Sequence, residues 1–227
     1  MTVEMRHVYK AYAGQPVLSD FSLALPEKGT TAFCGPSGCG KTTLVRLIAG
    51  LERVDDGSIA GLAGKRISMV FQEDRLLPWC TAEQNIALAA PHTDAGAWLA
   101  GMGLAAARRK LPGELSGGMR RRVAIARALA YGGDLFLLDE PFKALDDATR
   151  ASVMACAMRA IQEKPALLVT HELEEAAAMA DTVLLLDGPP LRVLKAVALP
   201  VPQPRRDGEQ IREYCHQLEQ VRGGWLK

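Results

Sequence analysis

The sequence predicts an α/β protein built on a mostly parallel β-sheet, and three observations predict it. Short, continuously apolar runs, among them "TTAFC" (30–34), "DLFLLDE" (134–140) and "ALLVTH" (166–171), have the length of strands buried on both faces. Amphipathic or alanine-rich segments of helical length separate these runs, as a sheet covered on both sides requires. Several runs end in a glycine loop, a carboxylate pair or a histidine. In such sheets functional groups collect at the carboxyl ends of the strands.

Each element follows in order. Thr30–Cys34 leads into a glycine loop, after which Leu44, Leu47, Ile48 and Leu51 recur at i, i+3, i+4 and i+7, one face of a helix. "RISMVFQ" (66–72) reads as the next strand. The stretch 75–118 differs: it is rich in Ala and Leu, is broken by Pro78, Pro91 and Pro112, and has little strand character. It is expected to be a small inserted α-helical subdomain. "DLFLLDE" is a buried strand ending in Asp139 and Glu140. Asp146 or Asp147 can cap the following helix, whose apolar stripe is Val153, Met154, Ala157, Met158 and Ile161. Pro165 follows the end of that helix, and "ALLVTH" and "DTVLLLD" (181–187) supply two more strands. Beyond residue 190 come prolines and then "GEQIREYCHQLEQVR" (208–222), a closing amphipathic helix too short for a second domain. The expected organisation is a core from 1–74 and 119–190, an insert at 75–118 and a tail at 191–227.

Bulk properties bound the function. A chain of 227 residues suits one sizeable domain. Its net charge of +1 provides no global basic field, so nucleic acid is not expected as a partner. No stretch approaches the roughly 18 apolar residues of a membrane span, and "MTVEMRHVYKAY" lacks the apolar core of a signal peptide. The five cysteines are odd in number and form no CxxC pair, which argues against disulfides or zinc and for a reducing cytoplasm.

The most specific motif is "GPSGCGKT" (35–42), a full match to G-x-x-x-x-G-K-[ST] between a strand and a helix. Its glycines let backbone N–H groups converge on phosphate oxygens at the positive end of the following helix. Lys41 is expected to reach the β- and γ-phosphates, and Thr42 to ligate Mg²⁺. Such a loop binds a nucleoside triphosphate. In phosphate-loop ATPases an aspartate after a buried strand holds the Mg²⁺ shell, a role that falls to Asp139. Glu140 beside it can polarise an attacking water.

A second anion-type device lies about 75 residues downstream. "LSGGMRRR" (115–122) places Ser116, Gly117 and Gly118 at the start of an alanine-rich helix, where backbone donors and the helix dipole favour an anion. Gln72 after one strand, "LSGGM", "LLDEP", "ALD" (144–146) and His171 after another strand then follow the phosphate loop in one order. This order strongly resembles the nucleotide-binding subunit of ATP-binding cassette (ABC) transporters, over about residues 3–190.

The resemblance implies a P-loop ATPase (RecA-like) core with an antiparallel β edge region, and it assigns roles residue by residue. Tyr12 stacks on adenine, with Tyr9 a lesser substitute. Gly35, Pro36, Ser37, Gly38, Cys39, Gly40, Lys41, Thr42 and Thr43 form the nucleotide cradle. Gln72 contacts Mg²⁺ or the attacking water, Glu140 is the general base, and His171 steadies the γ-phosphate. Asp146 relays state across a dimer interface. His7, His92 and His216 match nothing. The loop Ser116–Gly118 faces the γ-phosphate held by a partner subunit, so two chains head to tail bury two ATP molecules. A homodimer is therefore expected, with a nearly inactive monomer.

"FQEDRLLPWCTAEQNIAL" (71–88) looks like the corresponding stretch of importers of the nitrate, sulfonate, taurine and thiamine-precursor group. Leu76, Leu77 and Trp79 then become contacts for an integral membrane permease, although a packed core tryptophan is the rival reading. The resemblance further implies an extracellular or periplasmic solute-binding protein, and a place on the cytoplasmic face of the membrane. An exporter subunit is an alternative. Non-transport cassette ATPases and phosphate-loop kinases fit less well: the former usually carry a coiled coil or second cassette, and the latter have no use for a signature loop. Arg120, Arg121 and Arg122 read mainly as a solvated helix face, and a buried Arg127 is left open. Met119 stands where many relatives have glutamine, and Lys143 where glycine or serine is usual, which puts the local turn in question. Cys39 is expected to confer sensitivity to thiol reagents.

Overall fold

The computed structural model describes residues 3–162 and 164–223. In chain order it holds β1 (Val3–Tyr12), β2 (Gln15–Leu25), β3 (Thr30–Cys34), α1 (Lys41–Ile48), β4 (Asp56–Ala60) and β5 (Ile67–Val70). Next come α2 (Ala82–Ala89), α3 (Ala95–Gly101), α4 (Gly117–Tyr131), β6 (Leu135–Asp139) and α5 (Asp147–Ile161). The chain then runs through β7 (Ala166–Val169), α6 (Leu173–Met179), β8 (Thr182–Asp187), β9 (Arg192–Ala198) and α7 (Gly208–Gly223). Two compact units result: Met1–Lys65 with Glu163–Lys227, and Arg66–Gln162.

The first unit carries two sheets. In one, β1 lies between β2 and β4, both antiparallel to it. In the other, β3 pairs in parallel with β7 and β8, and β9 closes the edge antiparallel to β8. All of β3 and β7 is buried, the pattern of strands covered on both faces. β9 has the sequence "RVLKAVA" and buries little of itself; a charged edge discourages pairing with other chains. The expected mostly parallel pairing and antiparallel β region are both present.

The second unit carries the parallel pair β5–β6 and four helices. Between residues 75 and 118 the structure has helix and turn but no strand among the described residues, as the composition of that segment predicts. Helix α4 packs on α2 and α3, and its Val123, Ile125, Ala126 and Leu129 are all buried. Each helix of this unit starts at a side-chain cap. Thr81 caps α2 in a reciprocal box with Gln84, Asp94 caps α3, Ser116 caps α4 and Asp146 caps α5.

Two sequence expectations are corrected. Leu51 does not extend the stripe of α1, because the helix ends at Ile48 with Ala49 as C-cap, and Leu51 is exposed. Gln72 does not end a strand: β5 stops at Val70, and Gln72 lies in the bend that follows.

Candidate functional site

The phosphate loop is built by backbone geometry in the first unit. Strand β3 delivers the chain to Gly35, where a Cβ atom would lie 2.6 Å from the Leu186 carbonyl oxygen, so only glycine lets the loop leave the sheet there. Gly40, at φ 112°, is the N-cap of α1, and a Cβ there would lie 2.8 Å from Val17 Cγ1. No side chain caps α1 and its first turn holds no acidic residue, so the helix start presents its N–H groups to an anion.

Lys41 is buried against the same loop. Its Nζ donates to the carbonyls of Gly35 (2.8 Å) and Pro36 (2.7 Å), and it lies 3.6 Å from Cys39 Sγ. The ammonium is thus held over the cradle by two backbone carbonyls. Cys39 is itself fully buried, which corrects the expectation of ready attack by thiol reagents. Tyr12, in the same unit, is 43% exposed, hydrogen-bonds through its hydroxyl to Glu52, and has the Lys10 ammonium 5.4 Å from its ring centroid. Burial and the Glu52 carboxylate raise the phenol above its ordinary pKa. The ring is therefore pinned at its tip. His171 follows β7 and is paired with Glu172 at 3.3 Å. Its neighbour Thr170 is buried and donates its hydroxyl to the buried Glu175 carboxylate at 2.6 Å, which fixes the start of the loop.

The second unit carries the remaining residues. Strand β6 buries Asp139, and Glu140 follows at φ 45°, a left-handed conformation that is strained for a non-glycine residue. Lys143 Nζ lies 3.2 Å from Glu140 Oε2. The left-handed residues of that turn are Glu140 and Ala144 (φ 65°), not Lys143, so lysine at 143 meets no backbone penalty. Ser116 Oγ accepts the Met119 N–H at 3.3 Å, and Ser116 and Gly117 are exposed at the start of α4. The Asp146 side chain accepts the Thr149 N–H at 3.0 Å, and that bond holds its carboxyl below the usual range.

Trp79 is 73% exposed, which removes the reading of a packed core tryptophan. The loop that presents it is shaped by Asn85, a residue without an assigned role from sequence. Its buried side chain accepts from the Leu77 N–H and donates to the carbonyls of Leu77, Cys80 and Thr81.

The arginines of "MRRR" are not a solvated face. Arg121 is only 4% exposed, and Arg120 and Arg122 are half-buried, donating to the carbonyls of Leu115 and Met102. Arg121 donates to the carbonyls of Phe71, Gln72, Asp139, Glu140 and Pro141 and meets the Asp74 carboxylate. Burial lowers its pKa, opposed by Asp74, Asp139 and Glu140. Arg127 is bound by the carbonyls of Asp74 and Arg75. One signal in the sequence points to this: Arg121 precedes Ile125 and Ala128 by four and seven residues, on the buried face of α4.

Among the described residues no group of three or more His, Cys, Asp and Glu side chains could hold a metal by itself. In the first unit the Thr42 hydroxyl, and in the second the Gln72 amide and the buried Asp139 carboxylate, are hard oxygen donors, the kind that Mg²⁺ takes beside waters and substrate phosphates.

Comparison with known proteins follows the same lines. A family model described as "ABC transporter" matches residues 18–143. The taurine import ATP-binding protein TauB of Escherichia coli O157:H7 is 42% identical over 222 residues, covering 87% of this chain and 84% of that protein. The aliphatic sulfonates import ATP-binding protein SsuB 1 of Rhodococcus jostii (strain RHA1) is 43% identical over 206 residues, covering 87% and 83%. Among solved structures, the dimeric post-hydrolysis state of the ATP-binding cassette MJ0796 bound to ADP and Pi superposes with a TM-score of 0.79 at 26% identity. It covers 88% of this chain and 100% of that one.

Proposed function

Because this chain belongs to the ABC transporter family, we propose that it is the ATP-binding and hydrolysing subunit of a solute importer. The observation that carries the reading is the presence of two anion-ready helix starts in one chain. One is the Gly40-capped start of α1 with Lys41 folded over the loop, and the other is the exposed Ser116–Gly118 start of α4. A nucleotide held by the first in one copy is completed by the second in another, so the working form is a head-to-tail homodimer with two ATP molecules. The dimeric state of the MJ0796 cassette supports this.

In this mechanism the N–H groups of residues 38–43 and the Lys41 ammonium bind the phosphates, and Tyr12 stacks on adenine. Thr42, Gln72 and Asp139 would hold Mg²⁺, which offsets charge on the β- and γ-oxygens when bound. Glu140 orients and deprotonates the attacking water, and His171 fixes the γ-phosphate. Asp146, at the cap of α5, reports on the dimer interface. Loss of the γ-phosphate removes the anion that joins the copies, and the dimer opens. No described helix is long and apolar enough to cross a membrane. As in the import ATP-binding proteins it is similar to, the chain works with a separate permease, met by Leu76, Leu77 and Trp79. The subunit then sits at the cytoplasmic face, and a solute-binding protein delivers the cargo outside.

The named relatives import taurine and aliphatic sulfonates, and a sulfonate is the proposed cargo class. The test is to purify the native membrane complex, reconstitute it in vesicles with its binding protein, and measure ATP-dependent uptake of taurine and alkanesulfonates. Uptake of either supports the reading. Net export, or ATP hydrolysis unresponsive to every sulfonate, overturns the import or cargo assignment respectively.

A further inference from the structure

We propose that Arg121 is a positioning residue of the ATPase site, one that ties the Gln72 segment to the Asp139–Glu140 turn so that the two move as one. This rests on the reading of Glu140 as base and Gln72 as its partner at the water or metal.

The geometry is specific. The guanidinium is an inflexible planar fork with five donors. Its Nη1 donates to the Phe71 carbonyl at 2.6 Å and to the Gln72 carbonyl at 3.3 Å. Its Nη2 donates to the carbonyls of Asp139 (3.2 Å) and Glu140 (2.7 Å), and its Nε to that of Pro141 (2.7 Å). One edge of a single side chain therefore holds the bend containing Gln72, and the other edge holds three successive residues around the catalytic carboxylates. The Asp74 carboxylate lies 3.4 Å from Nη1.

A charge this buried is costly unless its donors are met, and here backbone carbonyls meet most of them. Four of those carbonyls belong to irregular segments, the stretch Phe71–Gln72 and the strained turn Glu140–Pro141 (Glu140 φ 45°), and the fifth to Asp139 at the end of β6. Arg127 repeats the arrangement on the carbonyls of Asp74 and Arg75. Helix α4, which begins at the signature residues Ser116–Gly118, thus grips both catalytic segments of its own unit through Arg121. A displacement of the Gln72 segment then shifts the Glu140 backbone without any contact between the two side chains.

Arg121→Lys tests this while keeping the charge, because one ammonium cannot span both sets of carbonyls. In the full-length protein, kcat is expected to fall about tenfold or more while the Kd for ATP stays within about twofold, since the cradle of residues 35–43 is untouched. Combined with Gln72→Ala, the loss is expected to be smaller than the product of the single losses, as for residues acting through one unit. Normal kcat in folded Arg121→Lys overturns the proposal, and so does a fully multiplicative double variant. Should Arg121→Lys fail to fold, Asp74→Asn carries the same two measurements with smaller expected losses, and the same outcomes overturn it. Glu140→Gln is the separate control: normal turnover there removes the base assignment itself, whatever Arg121 does.

Discussion

Lys143 and Glu140 form an ion pair, Nζ to Oε2 3.2 Å, three residues apart in the turn after β6. The lysine is more than half exposed, so water and salt screen much of the attraction. Replacing Lys143 with Ser is therefore expected to change kcat by less than about fivefold, and the difference should shrink as salt is raised. A loss of a hundredfold, measured as steady-state ATP hydrolysis, would mean that the lysine takes part in the chemistry.

Glu140→Gln keeps the shape of the side chain and removes the base. Turnover is expected to fall by about a hundredfold or more, with ATP binding retained and an ATP-stabilised dimer accumulating in size-exclusion chromatography. Normal hydrolysis would exclude Glu140 as the base.

Ser116→Arg puts a bulky cation at the exposed start of α4. The side-chain cap to Met119 is lost, and the face meant for a partner is blocked. ATP-dependent dimerisation should disappear while one chain still binds ATP, as read by equilibrium dialysis at low protein concentration. Loss of binding by the single chain would show that the signature loop serves its own nucleotide.

Gly40→Ala tests the cradle. The new methyl group meets Val17 at 2.8 Å, at a φ of 112° that alanine rarely adopts. The expected result is a stability loss of about 1–3 kcal/mol, together with an ATP Kd weakened by tenfold or more. Unchanged melting temperature and affinity would contradict the described loop.

Trp79→Ala should leave stability within about 0.5 kcal/mol, because the ring is largely in solvent. In the reconstituted complex, transport should fall while basal hydrolysis by the isolated subunit persists. Equal loss in both would remove the permease assignment.

The sequence by itself determined the parallel strands, the phosphate loop, the starts of α4 and α5 and the order of the site motifs. Each is written locally: apolar runs of strand length, glycines where the backbone must turn, and Ser116 or Asp146 one residue before a helix. Strands β1, β2, β4 and β9 were less legible, because half-exposed strands carry mixed residues whose pairing depends on distant partners. Only the tertiary structure decided the fate of the charges. In the text "MRRR" is three like residues; in the fold one of them is enclosed by carbonyls contributed some 20 and 50 residues away. Local pattern cannot reveal that, because burial of a charge depends on which distant backbone groups converge on it. For the same reason Trp79, apolar in sequence, stands in solvent, while Arg121, charged in sequence, lies inside.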